Sequence, residues 1–502
     1  MRPSLTFLTR LHDTLIDPER SERTFVTALA VYTLLWTAYG TIAKASQGLH
    51  PDMTEMVAWS RDLAWGYDKH PPLGAAVVWL WFHIFPLAEW PYYLLAMLMP
   101  ALALWIAWRL AADYLDGEKR VIGVALLTLV PFFNFHALKY NANTVLLPLW
   151  AAATFFFLRS YRTRGAGWAA LAGLAAAACM YGKYWSVMLL AGLGIAALID
   201  ARRALYFKSP APWLTIAVGL LALAPHLLWL AQHNFAPLTY AAALHAAKPF
   251  GESLISALGY LGGSLGYVAV PMLIVLAMVK RSPGWAADIM WPAPQERRLA
   301  VAAFWAPLLL PAALAPLTGI EITSLWSMSA FTLLPVLLLS SPAVVVRDID
   351  ATRILSLAVA LPIVVLVVSP AVSIIAQRNG PAPAGAQGRL LAQEIERQWH
   401  AAQPQPLRFV GGNADLAYAV VTYAADKPRA LPGLPPPGDA ALKSAGAVFV
   451  CFADDAGCKA AAAATAAALG GGPTVLTTIT RNFLGFAGKP QSYAIVLVPP
   501  NR

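Results

Sequence analysis

Between two strongly apolar segments lies a polar stretch, HPDMTEMVAWSRDLAWGYDKHPPL, residues 50–73, which carries Asp52, Glu55, Asp62, Asp68, Lys69 and His70. A carboxylate can take the proton of an attacking hydroxyl, and an adjacent cation and imidazole can hold a departing anion. Asp52 and Glu55 are the candidates for the first task, Lys69 and His70 for the second. Pro51 before an apolar-periodic run predicts a helix starting near Asp52. Met53, Met56, Val57 and Ala64 then share one face, with Asp52, Glu55, Trp59 and Asp62 opposite. The helix start favours the ionised form of Asp52. Pro71 and Pro72 stop any preceding helix and hold His70 in an extended turn. By spacing alone, the same residues also read as the wet face of an interfacial helix followed by a stiff connector.

Further polar positions punctuate the apolar chain. Lys139-Tyr140-Asn141-Ala142-Asn143 offers neutral amides for hydroxyl groups and a lysine for a phosphate or carboxylate, or is an ordinary polar turn. Lys183-Tyr184 marks another turn, where both residue types also serve as interface anchors. His226 and His233 are about two helical turns apart; they could line one cavity, and His226 reads equally as a satisfied helix-packing residue. Glu321 sits at a further helix end.

The elements that must carry these residues belong to a membrane protein. The chain of 502 residues is 59% hydrophobic and 12% charged, against about 25% charged in soluble domains. The net charge of +10 falls in short clusters between apolar runs, which is the signature of membrane orientation. No basic stripe with interleaved aromatics appears, so nucleic acid is excluded as a partner. Residues 24–43 are read as the first span, too long for a signal core, with the basic N-terminus in the cytoplasm. Counting 73–89 as a span would put every later basic cluster outside, including Lys119-Arg120, Arg202-Arg203, and Lys280-Arg281 with Arg297-Arg298. That run is therefore expected to lie along the outer interface. The remaining spans are predicted at 91–113, 121–137, 144–160, 166–182, 184–200, 211–231, 256–279, 299–318, 325–341 and 354–375. The total is about eleven, each near the length needed to cross a bilayer. Lys69, Lys139, Lys183 and Lys248 then fall in four different outer loops. Positive charge there runs against the orientation bias, and a shared anionic ligand would explain it.

Residues 377–387 read as a Gly/Pro/Ala-rich linker, and 390–399 as an amphipathic helix. Strands are predicted at 407–410, 446–452, 474–480 and 493–498, with helices at 414–425 and 458–469. The chain divides on this reading into a membrane domain, 1–376, and a small outer α/β domain, 377–502. Cys451 and Cys458 lie in that tail, where their spacing permits a disulfide. Cys179 sits in an apolar run and is read as packing.

The motif from Asp52 through Trp65-Gly66-Tyr67 to His70-Pro71-Pro72 resembles the bacterial family 39 glycosyltransferases. These are relatives of the protein O-mannosyltransferases and of the lipid A aminoarabinose and galacturonic acid transferases. The separation of Asp52 and His70, 70 − 52 = 18 residues, matches the family form. Two positions depart from it: Met53 replaces a second acid beside Asp52, and Lys69 replaces the acid before His-Pro-Pro. The resemblance implies a mostly α-helical polytopic GT-C fold with juxtamembrane helices on the outer surface and a C-terminal periplasmic α/β domain. It further implies sugar transfer from a polyprenyl-phosphate donor to an envelope acceptor (lipid A or another lipid, a glycan, or a protein) at the periplasmic face of a bacterial inner membrane. In that reaction Asp52 and Glu55 are catalytic, and Lys69, His70, Lys139 and Lys183 bind the donor phosphate. Asn141, Asn143, Tyr184 and His233 contact sugar or acceptor. No cofactor is expected and no metal site is predicted, although a divalent ion is compatible with the chemistry. The alternative is a transporter or flippase of a lipid-linked sugar, against which stand the lack of an inverted repeat and the one-sided polar residues.

Overall fold

The computed structural model describes residues 3–244, 248–278, 284–379, 387–431 and 439–500. The Lys280-Arg281 cluster and most of the expected linker, 380–386, lie outside the described residues. The chain forms two compact units, one of residues 1–37 and 93–365, the other of residues 38–92 and 366–502.

The first unit is helical. α1 (Pro3–Ile16) precedes α2 (Ser21–Ala43), which runs on into the second unit. α3 (Pro51–Ser60) and α4 (Leu73–Ile84) belong to the second unit, and α5 (Glu89–Ala111) leads back into the first. There follow α6 (Gly117–Thr128), α7 (Ala142–Thr163), α8 (Ala166–Gly182), α9 (Ser186–Ile199), α10 (Arg203–Phe207), α11 (Ala211–Gln232) and α12 (Ala236–Leu244). α13 (Phe250–Tyr267), α14 (Ala269–Met278), α15 (Gly284–Met290), α16 (Gln295–Thr318), α17 (Leu334–Leu339) and α18 (Asp348–Asn379) complete the series. α8 packs between α7 and α11, and α16 against α9 and α13. Small residues permit the close crossings. A Cβ at Gly173 of α8 would stand 2.5 Å from the carbonyl oxygen of Thr215 on α11.

Among the described residues six helices are long and apolar enough to cross a membrane, or seven if the bent pair α13–α14 is one span. Most predicted spans coincide with helices, but three are not continuous. The expected span at 121–137 stops at Thr128 and passes into a 3-10 turn at Pro131–Phe133, where proline supplies no amide to continue the ladder. The one at 256–279 bends by 58° between α13 and α14. The one at 325–341 is a 3-10 run, Ser324–Leu333, followed by the single short helix α17. α1, α12 and α15 were not foreseen from hydropathy.

The second unit contains a five-stranded sheet. Its strands are β1 (Phe409–Gly412), β2 (Arg429–Ala430), β3 (Ala447–Phe452), β4 (Thr474–Ile479) and β7 (Gln491–Val498), in the order β2-β1-β3-β7-β4. β5 (Asn482–Phe483) and β6 (Phe486–Ala487) form a separate hairpin. β1 runs parallel to β2 and β3, and β7 antiparallel to β3 and β4. β3 is apolar throughout because both its faces are covered. Val448 and Val450 pack under α19 (Gly388–Ala402) and α20 (Ala414–Tyr423), through Leu391, Ile395, Trp399 and Val420. Past α21 (Asp439–Ala445), α22 (Ala456–Ala468) covers the other face, where Phe449 and Cys451 meet Ala462 and Ala466. Cys451 and Cys458 are joined as a disulfide between β3 and α22. The predicted strands and helices of the tail coincide with these elements to within a few residues, with β2, the β5–β6 hairpin and α21 added.

Candidate active site

The site begins where α3 begins. His50 occupies its N-cap, with Nδ1 accepting the Asp52 amide at 3.1 Å, and Pro51 takes the first turn, where no amide partner is needed. Asp52 is thereby fixed at the helix start, its carboxylate 3.5 Å from the same imidazole and about one-third exposed. The sequence pattern foresees a half-wet helix here; instead α3 is buried on every side from Met53 to Ser60. α4 and α20 both pack on it, with Ala58 meeting Tyr418 and Val421 of α20. The predicted faces also ran too far, since α3 ends at Ser60, before Asp62 and Ala64. Asp62 pairs instead with Arg429 of β2 at 2.7 Å, and Arg61 donates to the Pro428 carbonyl at 3.1 Å.

Residues 61–72 fold back along α3. Tyr67 stacks on Trp59 with ring centroids 4.8 Å apart, and its hydroxyl donates to the Trp59 carbonyl at 2.9 Å. The Tyr67 amide donates to the carbonyl of His70 at 3.0 Å, and the His70 ring stands edge-on to Trp59. This brace brings Lys69 to Glu55, with Nζ 3.1 Å from Oε1 and 3.2 Å from Oε2. Burial pushes the Glu55 carboxyl up to about 7; Lys69 opposes that shift, while Asp52 and Asp415 add to it. Asp415, near the start of α20, is also raised by burial, with Lys69 opposing and Asp52 contributing. Asp52, Glu55, Lys69 and Asp415 therefore form one electrostatic cluster. Among the described residues no group of His, Cys, Asp and Glu is arranged to hold a metal ion.

A second cluster lies within the helical unit. Asn141 caps α7, its Oδ1 accepting the amides of Asn143 and Thr144. Lys183 donates to Asn143 Oδ1 at 2.7 Å and lies 5.2 Å from the Trp326 ring. The Tyr184 hydroxyl lies 3.1 Å from His226 Nε2. Lys139 is half-buried just before this cap. The two histidines do not line one cavity. His226 is buried against Tyr184, whereas His233 is exposed, with Nδ1 2.8 Å from the Trp229 carbonyl of its own turn.

The sequence marks Tyr67 only as part of its motif and does not mark His50, Asp415 or Tyr418. His-Pro-Asp at a helix start was a usable signal for His50. Nothing local marks Asp415, which reaches the cluster only because α20 packs on α3.

Residues 69–229 match the model of the family described as dolichyl-phosphate-mannose-protein mannosyltransferase. That segment begins at Lys69 and takes in the Asn143–Lys183 cluster. The chain also aligns with ArnT from Cupriavidus metallidurans bound to undecaprenyl phosphate, at a TM-score of 0.62 and 13% identity over 94% of this chain and 97% of that one. Over residues 69–229 the chain is thus similar to a glycosyltransferase family, and as a whole it has the GT-C fold of a membrane protein. The apo state of the same ArnT gives a TM-score of 0.60 with the same coverage and identity. At this identity the likeness is one of fold. Over 208 residues the chain is 29% identical to the lipopolysaccharide core galacturonosyltransferase RgtB of Rhizobium johnstonii, covering 40% of this chain and 41% of that protein. The GT-C chain thus spans less than half the length of this relative.

Proposed function

We propose that the chain is an enzyme that transfers a sugar from a polyprenyl-phosphate donor to a hydroxyl of an envelope acceptor, at the periplasmic face of a bacterial inner membrane. The observation that carries this reading is the braced cluster of Asp52, Glu55, Lys69 and His70 in a chain of GT-C fold. The acceptor oxygen attacks the anomeric carbon as the bond from that carbon to the phosphate oxygen breaks. The phosphate leaves with the bonding pair, and the hydroxyl proton passes to Asp52. Lys69 and His70 balance the charge that grows on the phosphate, a task for which fixed donors suffice. Because the phosphate is a good leaving group, no strong general acid is needed. Glu55 holds Lys69 in place. The family resemblance assigns Lys139 and Lys183 to the donor phosphate, and Asn141, Asn143, Tyr184 and His233 to sugar or acceptor. The similarity to RgtB favours a lipopolysaccharide acceptor and, with the lysines, an acidic sugar. The domain boundary proposed is 376/377, with the tail outside.

The test is reconstitution of the purified full chain in liposomes with a polyprenyl-phosphate sugar and lipopolysaccharide, read by mass spectrometry of the lipids. Sugar on the acceptor is the expected result. Movement of intact donor between leaflets without any transfer would replace this reading with that of a flippase.

A further inference from the structure

At the far end of α7 from Asn141 lies a cavity of about 610 Å³ lined by Asp113, Tyr114, Arg202, Gln295, Glu296 and Arg297. α7 has 22 residues and so spans about 33 Å, about the thickness of a bilayer's apolar core. The cavity is therefore remote from the Asn143–Lys183 cluster within the same helical unit.

Its hydrogen-bonding capacity is one-sided. The Asp113 carboxylate is taken up on both oxygens, by Arg159 at 2.7 Å and Arg162 at 2.8 Å. Arg202 is anchored on Asp200, and Arg297 on Asp288 and Ser340. Apart from Glu296 and the Gln295 amide, what remains is a set of donors. The Tyr114 hydroxyl and Arg297 Nη2 are buried and have no hydrogen-bond partner among the described residues. α16 starts at the same wall with Pro294 as its N-cap and no side-chain cap. The amides of Gln295, Glu296 and Arg297 therefore have no intrahelical acceptor and present the positive end of a 24-residue helix. Buried orphan donors are costly, and two in the lining of one cavity imply a group that accepts from them. Among the described residues Glu296 is the one carboxylate of the lining that forms no ion pair, and it limits the charge the cavity can take.

We propose that this cavity binds a phosphoryl group, gripped by the first turn of α16, the Arg297 guanidinium and the Tyr114 hydroxyl. An anionic phospholipid headgroup and a soluble phosphate share that chemistry. The site is separate from the proposed transfer centre and does not depend on it.

The purified full chain is placed in phosphatidylcholine nanodiscs, and its thermal midpoint is followed as inorganic phosphate is added. In a second arm phosphatidylglycerol replaces part of the phosphatidylcholine, with native mass spectrometry counting the retained lipid. Saturable stabilisation by phosphate assigns a soluble ligand, and stabilisation by phosphatidylglycerol alone assigns a headgroup. Tyr114→Phe and Arg297→Gln should each weaken that binding about tenfold or more, the usual effect of removing a hydrogen bond to a charged group. Tyr114→Phe is the sharper test. It deletes a hydroxyl with no partner among the described residues, so the unliganded protein should be no less stable. No saturable effect in either arm, or unaltered binding by both variants, would overturn the proposal.

Discussion

Lys69 Nζ lies within 3.2 Å of both carboxylate oxygens of Glu55, across the fold between α3 and the turn that precedes Pro71. Glu55 is almost fully buried and its carboxyl titrates near 7, above the ordinary value of 4.5. Between those values the folded protein holds a proton that the unfolded chain has lost. The associated stability is complete below about 4.5 and is lost as pH rises to about 7. The thermal midpoint should therefore fall from pH 5 to pH 7.5 more steeply in the wild type than in Glu55→Gln. Parallel profiles for the two proteins would remove Glu55 as the titrating group.

The same pair sets how donor binding depends on pH. Protonating Glu55 removes the charge that offsets Lys69, so donor affinity should rise as pH falls through about 7. In Glu55→Gln that step should vanish. Equilibrium binding of a polyprenyl phosphate at pH 6 and pH 8 reads it directly.

Asp52 stands at the helix start beside His50 and is more exposed than Glu55. Asp52→Asn keeps the shape and removes the basicity. Turnover should fall by about 10²–10⁴-fold, the usual contribution of a general base, with donor affinity little changed. Glu55→Gln should slow turnover less. If Asp52→Asn transfers sugar at near-normal rates, the base lies elsewhere.

Lys69→Ala and His70→Ala should weaken donor binding by roughly 10- to 100-fold, as expected for one lost charge-assisted hydrogen bond. Unchanged affinity in both variants, measured by displacement of a labelled polyprenyl phosphate, would shift the phosphate site towards Lys139 and Lys183.

Tyr67 fastens the turn that carries Lys69 and His70 onto Trp59. Truncating a buried aromatic costs about 3–5 kcal/mol, so Tyr67→Ala should lower the thermal midpoint and weaken donor binding together. Tyr67→Phe keeps the stack and should recover most of both. A Tyr67→Ala protein with normal donor affinity would show that the brace does not position the cations.

Hydropathy and turn chemistry alone disclosed the membrane character of the chain, most of its long helices and the main strands of the tail. These are local properties: an apolar run of span length, or an alternating run bounded by glycine and proline, carries its own signal. The motif from Asp52 to His70 was legible for the same reason, being contiguous. Breaks inside apolar runs were not, because a 3-10 segment such as Ser324–Leu333 is as apolar as a straight helix. Only the tertiary structure decided the environment of α3. Its acidic positions suggested a wet face, yet α4 and α20 enclose it and turn Glu55 into a buried carboxyl held by Lys69. Asp415 enters the cluster by the same packing, as does Arg429 at Asp62. Burial and charge pairing depend on which distant segments meet, and period and composition within a single helix carry no record of that.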